Sequence, residues 1–426
     1  MHPHIWYPFT QAKTAPDPLK VKSGQGIWLE LENGQRLIDC ISSWWVNLHG
    51  HAHPKIAEAI YQQAKQLEQV IFAGFTHDPA EQIAEKLVSK LPQNLDRVFF
   101  SDNGSTAIEV ALKMAYQYWV NQQQKRSTFL AFEGAYHGDT FGAMAVGERS
   151  IFTKPFADLL FQVEFVPYPE TYLGDEQASK KEEKVLEQIQ QKLQQFPDRY
   201  AGILIEPLVQ GAGGMRMCRP EFLQQLAQLA QASNTLLIFD EIMTGFGRTG
   251  DWFACRKAQV QPDVICLSKG ITGGFLPLSV TVCSKPIYDA FYSDDPTKTF
   301  YHGHSYTANP ISCAAAIASF ELLQENETAL QQIETVHRQQ LEQLQGHPSV
   351  EKLRVTGTIA AMDIVTSEQT GYLNQIATEV RKRAIGRGLL LRPLGNVLYL
   401  MPPYCITDAE LAFVYQQIQG ILLEIG

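Results

Sequence analysis

The sequence predicts an α/β protein with a large domain around a mainly parallel sheet and a smaller α+β unit beside it. Three observations carry this. From residue 80 to about 300, runs with helical period alternate with short strand-like runs, the pattern of successive βαβ units. Those strand-like runs are apolar on both faces, as in a sheet covered by helices on two sides. The chain has 426 residues, 45% of them hydrophobic, which suits a large core and excludes an extended disordered chain.

The first expected element is a hairpin. Residues 26–31 alternate as a strand, Asn33 and Gly34 make a turn, and residues 36–40 return. Ile56, Ala59, Ile60 and Leu67 give a helix over 54–70. Helices are expected at 80–90, 105–120 and 220–233, and strands at 97–100, 128–132, 201–205, 235–239, 264–267 and 278–282. Residues 174–198 are polar and carry a solvated amphipathic helix on Val185, Ile189 and Leu193. Beyond Asn309 and Pro310 come helices to about 326 and over 327–346, strands at 359–365 and 397–401, and helices at 373–387 and 408–424. The N-terminal hairpin is too small to stand alone. The expected division is therefore 1–48 joining the small unit, 49–320 as the large domain and 321–426 as the small one.

Charge and cysteine usage narrow the class. Net charge is −10, which argues against non-specific nucleic-acid binding. The seven Cys residues, with no CxxC spacing, argue against a disulfide framework or zinc knuckle and fit a reducing, cytoplasmic setting. No signal peptide and no membrane span are expected. The HGHAH run at 49–53 has a metal-like spacing, but no acidic or Cys ligand set accompanies it, so no metal is expected.

Five motifs sit where strands end. The run DEIMTGFGRTG at 240–250 places Asp240 at the end of an apolar strand, on the edge where α/β sheets bind ligands. Taken alone, Asp240 reads as a helix cap. In CLSKGITGG at 266–274, Lys269 comes just after another apolar strand. A lone lysine is ordinarily solvated, but one drawn into a partly dry pocket can form a Schiff base. In FFSDNGSTAIE at 99–109, Gly104 and Ser105 open a helix whose free N–H groups suit a phosphate; alone, this is an ordinary Ser cap. In GAYHGDT at 134–140, Tyr136 offers a face for stacking, with a core-packed tyrosine as the plain alternative. In IEPLVQGAGG at 205–214, Glu206 either caps a loop or reaches the site. Together they supply an amine, an acid, an aromatic face and a phosphate cradle, the needs of pyridoxal phosphate.

The same runs, with GHS at 303–305, resemble the class III pyridoxal-phosphate aminotransferases of fold type I over essentially the whole chain. HIWYP at 4–8, SSWW at 42–45, YHGDTFGAM at 136–144, VQGAGGMRM at 209–217, and LRP at 391–393 with LYLMPP at 398–403 resemble the branch that converts 8-amino-7-oxononanoate to 7,8-diaminononanoate in biotin synthesis. The resemblance implies a ping-pong reaction. Lys269 would carry the cofactor and move the proton, and Asp240 would pair with its ring nitrogen. Gly104 and Ser105 would bind the phosphate, completed by His304 and Ser305 from the partner of a homodimer. Tyr136 would stack near the ring and border substrate, Trp44 and Trp45 would wall the alkyl chain, and Arg392 would clamp a carboxylate. Gly303 and Tyr399 would line the pocket.

Phe9 stands where members using S-adenosylmethionine carry a tyrosine. Phe9 and TFYHGHSYT at 299–307 resemble the lysine-using members, whereas Trp44, Trp45 and 209–217 resemble those using S-adenosylmethionine. S-adenosylmethionine is taken as the donor, with lysine as the alternative. A transaminase of ω-amino acids or diamines would keep Lys269 and Asp240 but need not carry Trp44, Trp45, Arg392 or Tyr399. A nicotinamide dehydrogenase is disfavoured, because GFGRTG at 245–250 does not directly leave a strand.

Overall fold

The computed structural model describes residues 2–425. An N-terminal meander of β1 (Val21–Gln25), β2 (Trp28–Leu31) and β3 (Arg36–Asp39) comes first. The expected turn joins β2 to β3, with Gly34 at φ +84° and the Asn33 side chain accepting the Gln35 N–H at 3.0 Å. The strand begins at Trp28 rather than residue 26, because Gly26 has φ +58° and bridges to His51 instead. Nothing in the sequence marks β1: it is a mostly exposed edge, without apolar alternation.

The central sheet has seven strands, β4 (Leu95–Ser101), β5 (Thr128–Phe132), β6 (Val163–Val166), β7 (Tyr200–Ile205), β10 (Leu236–Asp240), β11 (Val264–Leu267) and β12 (Ser279–Ser284). The short pair β8 (Val209–Gln210) and β9 (Arg216–Met217) lies apart. The sheet order is β4-β12-β11-β10-β7-β5-β6. β6, β5, β7, β10 and β11 are mutually parallel. β12 runs against both β11 and β4. Two reversals restore direction, so β4 ends at the same edge as the parallel strands.

Period-2 alternation sorts the sheet's side chains between two apolar clusters. Leu204 and Ile238 join one cluster with α4 (Gly104–Asn121), while Ile203, Ile205, Leu237 and Phe239 join the other with α3 (Asp78–Lys90), α6 (Ala178–Gln195) and α7 (Pro220–Ala232). On α4, Ala107, Ile108, Ala111, Ala115 and Trp119 are buried, and the Trp119 indole donates to the Ala201 carbonyl at 2.8 Å. Small residues on the inner face of α4 let it sit close to the strands. That brings its N-terminus to the sheet edge.

Between β3 and α3 lie the irregular turn α1 (Ser42–Trp45) and α2 (Pro54–Gln66). α2 stops short of residue 70 because Leu67 is extended, at φ −161°. The chain beyond it is tied to a distant loop by Gln69, which donates to the Ser305 carbonyl, and by His77, paired with the Ala308 carbonyl. The shorter α5 (Phe141–Val146), α8 (Ala254–Lys257) and α9 (Lys285–Phe291) fill connections. Then come α10 (Pro310–Glu325), α11 (Glu327–Leu344), β13 (Val350–Thr356), β14 (Ile359–Ile364), α12 (Ile376–Gly386), β15 (Leu389–Leu390), β16 (Val397–Leu400) and α13 (Asp408–Ile425). α12 starts at Ile376, not 373, because the Asn374 side chain accepts the Ile376 N–H and holds the preceding turn. β13, β14 and β16 form an antiparallel sheet, and the short β15 pairs in parallel with β3. The two ends of the chain therefore share one small sheet. Among the described residues, no helix is long and apolar enough to cross a membrane.

Candidate active site

The shared edge of the central sheet opens on a cavity of about 400 Å³. Strand ends supply its floor. Asp240 is the last residue of β10, Glu206 comes just after β7, Lys269 lies two residues past β11, and Gly104 and Ser105 start α4 beyond the end of β4. Tyr136 and His137 come from the loop after β5. Trp44, Trp45, Arg392, Tyr399 and Phe9 also line the cavity. Every residue expected at the site lines this one cavity except Gly303, His304 and Ser305.

Lys269 sits at φ +43°, in the left-handed region, so its backbone is held by context. Leu48 packs against Gly270, where an added Cβ would lie 3.1 Å from it. The Lys269 ammonium lies 4.9 Å from the Trp45 ring centre. Burial lowers its pKa, while the charges of Asp240 and Glu206 act in the opposite direction.

Asp240 is buried and its two oxygens have different partners. Oδ1 accepts the Ile242 N–H at 3.0 Å, and Oδ2 lies 2.7 Å from His137 Nδ1. In the sequence His137 stands out only as part of a motif. A histidine one residue after the stacking tyrosine is the available signal for it. Its Nε2 is buried with no partner among the described residues. Glu206 does both things expected of it: it lines the cavity, and its oxygens accept the N–H groups of Tyr136 at 3.1 Å and Gly211 at 2.9 Å. Burial is the main reason its pKa is pushed up to about 7.

At the mouth of α4, Asn103 makes a reciprocal capping box with Thr106. The amides of Gly104 and Ser105 take no part in it. Ser105 Oγ accepts the Asp139 N–H at 3.1 Å. A Cβ on Gly138 would fall 2.1 Å from that hydroxyl, and one on Gly104 would fall 2.9 Å from Ile242. Glycine at both positions keeps open a small cradle of N–H and O–H donors at a helix N-terminus, the chemistry a phosphate needs.

The far wall is aromatic. Trp45 donates its indole N–H to the Tyr399 hydroxyl at 2.9 Å. Arg392 lies over the Trp44 ring at 4.4 Å, and no ion pair to a carboxylate is formed by it among the described residues. Phe9 meets Trp44 and Phe152 edge-on at 5.6 and 6.0 Å, and Phe152 meets Tyr372 at 4.8 Å. Phe152 and Tyr372 lie in irregular segments without periodicity, so nothing in the sequence marks them.

His49 and His51 have other partners. His49 pairs with Ser319 at 3.1 Å and His51 with Asp39 at 2.9 Å. Among the described residues no group of three or more His, Cys, Asp or Glu is placed to hold a metal.

A dry lysine, a buried carboxylate oriented by histidine, a stacking tyrosine and a helix-end cradle fit pyridoxal phosphate and define an enzyme that depends on it. The chain belongs to the class-III aminotransferases: the family model for "Aminotransferase class-III" matches residues 10–422. It is 63% identical over 424 residues to an adenosylmethionine-8-amino-7-oxononanoate aminotransferase of Synechococcus elongatus, covering 100% of this chain and 99% of that one. A Geobacter sulfurreducens protein of the same name is 38% identical, covering 96% and 94%. Among solved structures, the Methanocaldococcus jannaschii protein of that name superposes with a TM-score of 0.91 at 32% identity, covering 99% and 97%. A PLP-bound amine transaminase from an uncultivated Pseudomonas species gives 0.93 at 29% identity, covering 100% of both chains.

Proposed function

We propose that this chain transfers an amino group from S-adenosylmethionine to 8-amino-7-oxononanoate, forming 7,8-diaminononanoate for biotin synthesis. The observation that carries the reading is one cavity with two chemically different walls. Lys269 and Asp240 supply its polar part, and Trp44, Trp45 and Tyr399 line it with Arg392, which has no carboxylate partner among the described residues. Full-length relatives bearing that name support it.

Bound pyridoxal phosphate supplies an electrophilic carbonyl and a ring that withdraws electrons from the reacting carbon. The residues do the rest. Lys269, with its pKa lowered by burial, gives up its proton readily. With the cofactor bound it would add to that carbonyl, with loss of water, and would then carry a proton to and from the substrate carbon that bears nitrogen. Asp240, held by His137 and the Ile242 N–H, keeps a proton on the ring nitrogen. Gly104 and Ser105 would hold the phosphate, and Tyr136 would cover the ring. Trp44 and Trp45 keep water from the alkyl chain, and the Arg392 guanidinium takes the carboxylate in its planar fork.

A homodimer is part of this reading. Ile71, Phe75, Tyr301 and Tyr306 are each more than 60% exposed, and the Gln69 side chain ties the first of these segments to the Ser305 carbonyl, which supports an exposed apolar face there. A second copy covering it would bring its own His304 and Ser305 to the phosphate. Residues 49–320 then act as the cofactor domain, with 1–48 and 321–426 as the small domain, in the cytoplasm.

Phe9 favours a second reading for the donor, lysine. The test is growth without biotin of a strain lacking this aminotransferase, together with the half-reaction of purified enzyme. Rescue, and a change in the visible band on adding S-adenosylmethionine, are expected. Response to lysine alone overturns the donor choice, and failure of cofactor-loaded protein to rescue overturns the reaction.

A further inference from the structure

The wall that carries Trp44 and Trp45 is built on a strained turn. Ser42, Ser43 and Trp45 all have positive φ, at +51°, +61° and +69°. Ser43, at φ 61° and ψ −79°, adopts the unfavourable form of the γ-turn. No glycine relieves the segment. Such backbone persists only where its surroundings hold it.

The surroundings are specific. Asp39 is fully buried at the end of β3. Its Oδ1 accepts the Ile41 N–H at 3.2 Å. Its Oδ2 accepts the Ser43 N–H at 2.6 Å and the Ser43 hydroxyl at 3.1 Å, and lies 2.9 Å from His51 Nε2. The neighbours of His51 decide its tautomer. Asn47 Oδ1 accepts the Gly50 N–H at 2.8 Å, which turns Asn47 Nδ2 towards His51 Nδ1 at 3.1 Å. Nδ1 therefore accepts, and Nε2 carries the hydrogen given to Asp39. Below the turn, buried Arg248 donates to the carbonyls of Trp45 at 3.4 Å and Asn47 at 3.1 Å, and Ser42 Oγ donates to the Met401 carbonyl at 2.8 Å.

We infer that Asp39, oriented by His51, is a positioning residue for the reaction: its carboxylate holds the turn over 42–45 in its strained form, and so fixes the Trp45 ring beside Lys269 and the Trp44 ring beneath Arg392. Neither Asp39 nor His51 lines the cavity. Their effect passes through the turn. This rests on the reading that Trp44 and Trp45 wall the substrate site.

The test uses cofactor-loaded D39N, H51A and the pair D39N/S43G. D39N preserves size but turns a donor towards N–H groups that need an acceptor. It should raise KM for 8-amino-7-oxononanoate roughly tenfold, with a smaller change in kcat. It should also move the pH midpoint of the visible band by about half a unit, since the Trp45 ring no longer abuts Lys269. Glycine at 43 removes the strain at that residue, though not at Ser42 or Trp45, so S43G should recover part of the KM loss in D39N and improve KM there more than the S43G single variant does in the parent. H51A should shift both readouts the same way by less, and it stands in if D39N does not fold. A lower melting temperature with parental KM, kcat and band midpoint would assign Asp39 to folding alone and overturn the proposal. So would a D39N/S43G pair no better than D39N. If the parent does not turn over the keto acid, the proposed reaction fails, while the band midpoint still decides the role of Asp39.

Discussion

His137 Nδ1 lies 2.7 Å from Oδ2 of Asp240, and both side chains are buried. The imidazole fixes the rotation of the carboxylate, and with the Ile242 N–H it leaves the acid aimed along one direction into the cavity. Replacing His137 by Phe keeps a planar ring, slightly larger, and removes the donor. Asp240 then keeps one hydrogen bond of two, and the affinity for pyridoxal phosphate should fall roughly tenfold. Titration of the cofactor-free protein, monitored by visible absorbance, measures this directly. Unchanged affinity would mean that His137 does not orient Asp240.

Arg392 stacks on Trp44 and lines the cavity, with no carboxylate partner among the described residues. A guanidinium that binds a planar anion through charged hydrogen bonds contributes about 1.5–3 kcal/mol. R392A should therefore raise KM for the keto acid roughly ten- to a hundredfold, with kcat changed much less. R392K should recover only part, since an ammonium lacks the fork. Steady-state kinetics with both variants checks this. A loss confined to kcat would place Arg392 in the chemical step instead.

Phe9 is about half exposed at 48% and touches Trp44 and Phe152 edge-on. F9Y adds a hydroxyl at this mouth without disturbing either ring contact. The half-reaction with S-adenosylmethionine should become severalfold more efficient, and that with the keto acid should not change. Stopped-flow absorbance on each half-reaction separates the two. Equal change in both would remove Phe9 from donor selection.

His49 gives the fold a defined acid sensitivity. Burial, assisted by nearby His53, pushes its pKa down to about 3 from an ordinary value of 6.5. The unfolded chain therefore binds the proton more readily. The stability His49 contributes as a neutral group is complete above pH 6.5 and is lost as pH falls towards 3. Between pH 8 and pH 5 its share of the loss is about 2 kcal/mol. H49Q keeps a donor for Ser319 and does not titrate, so its denaturation midpoint should fall less steeply over this range. Parallel curves for parent and variant would show that His49 does not set the slope.

Much of the site is legible in the sequence for a physical reason. Central strands such as β10 and β11 are buried on both faces, so they appear as continuous apolar runs, and the residues just past each run mark the ligand edge. Asp240 and Lys269 can be placed by that rule alone. β1 and β15 cannot: one is a polar edge and the other has two residues. His137 is visible as a letter but not as a partner of Asp240, because its contact spans 103 residues. The aromatic contacts of Phe152 and Tyr372 arise where irregular segments meet, and no local pattern encodes such a meeting. The turn over 42–45 shows its tryptophans in sequence and hides its strain, since Ser is not the residue that positive φ announces.

The most direct test of the central claim is a single-turnover experiment on cofactor-loaded enzyme, with S-adenosylmethionine added first and 8-amino-7-oxononanoate second, and the product identified by mass. The visible band should fall on the first addition and return on the second, with 7,8-diaminononanoate formed in equal amount, and K269A should show neither change. Full turnover by K269A, or a band that returns without 7,8-diaminononanoate, would contradict the assignment of Lys269 and of this reaction.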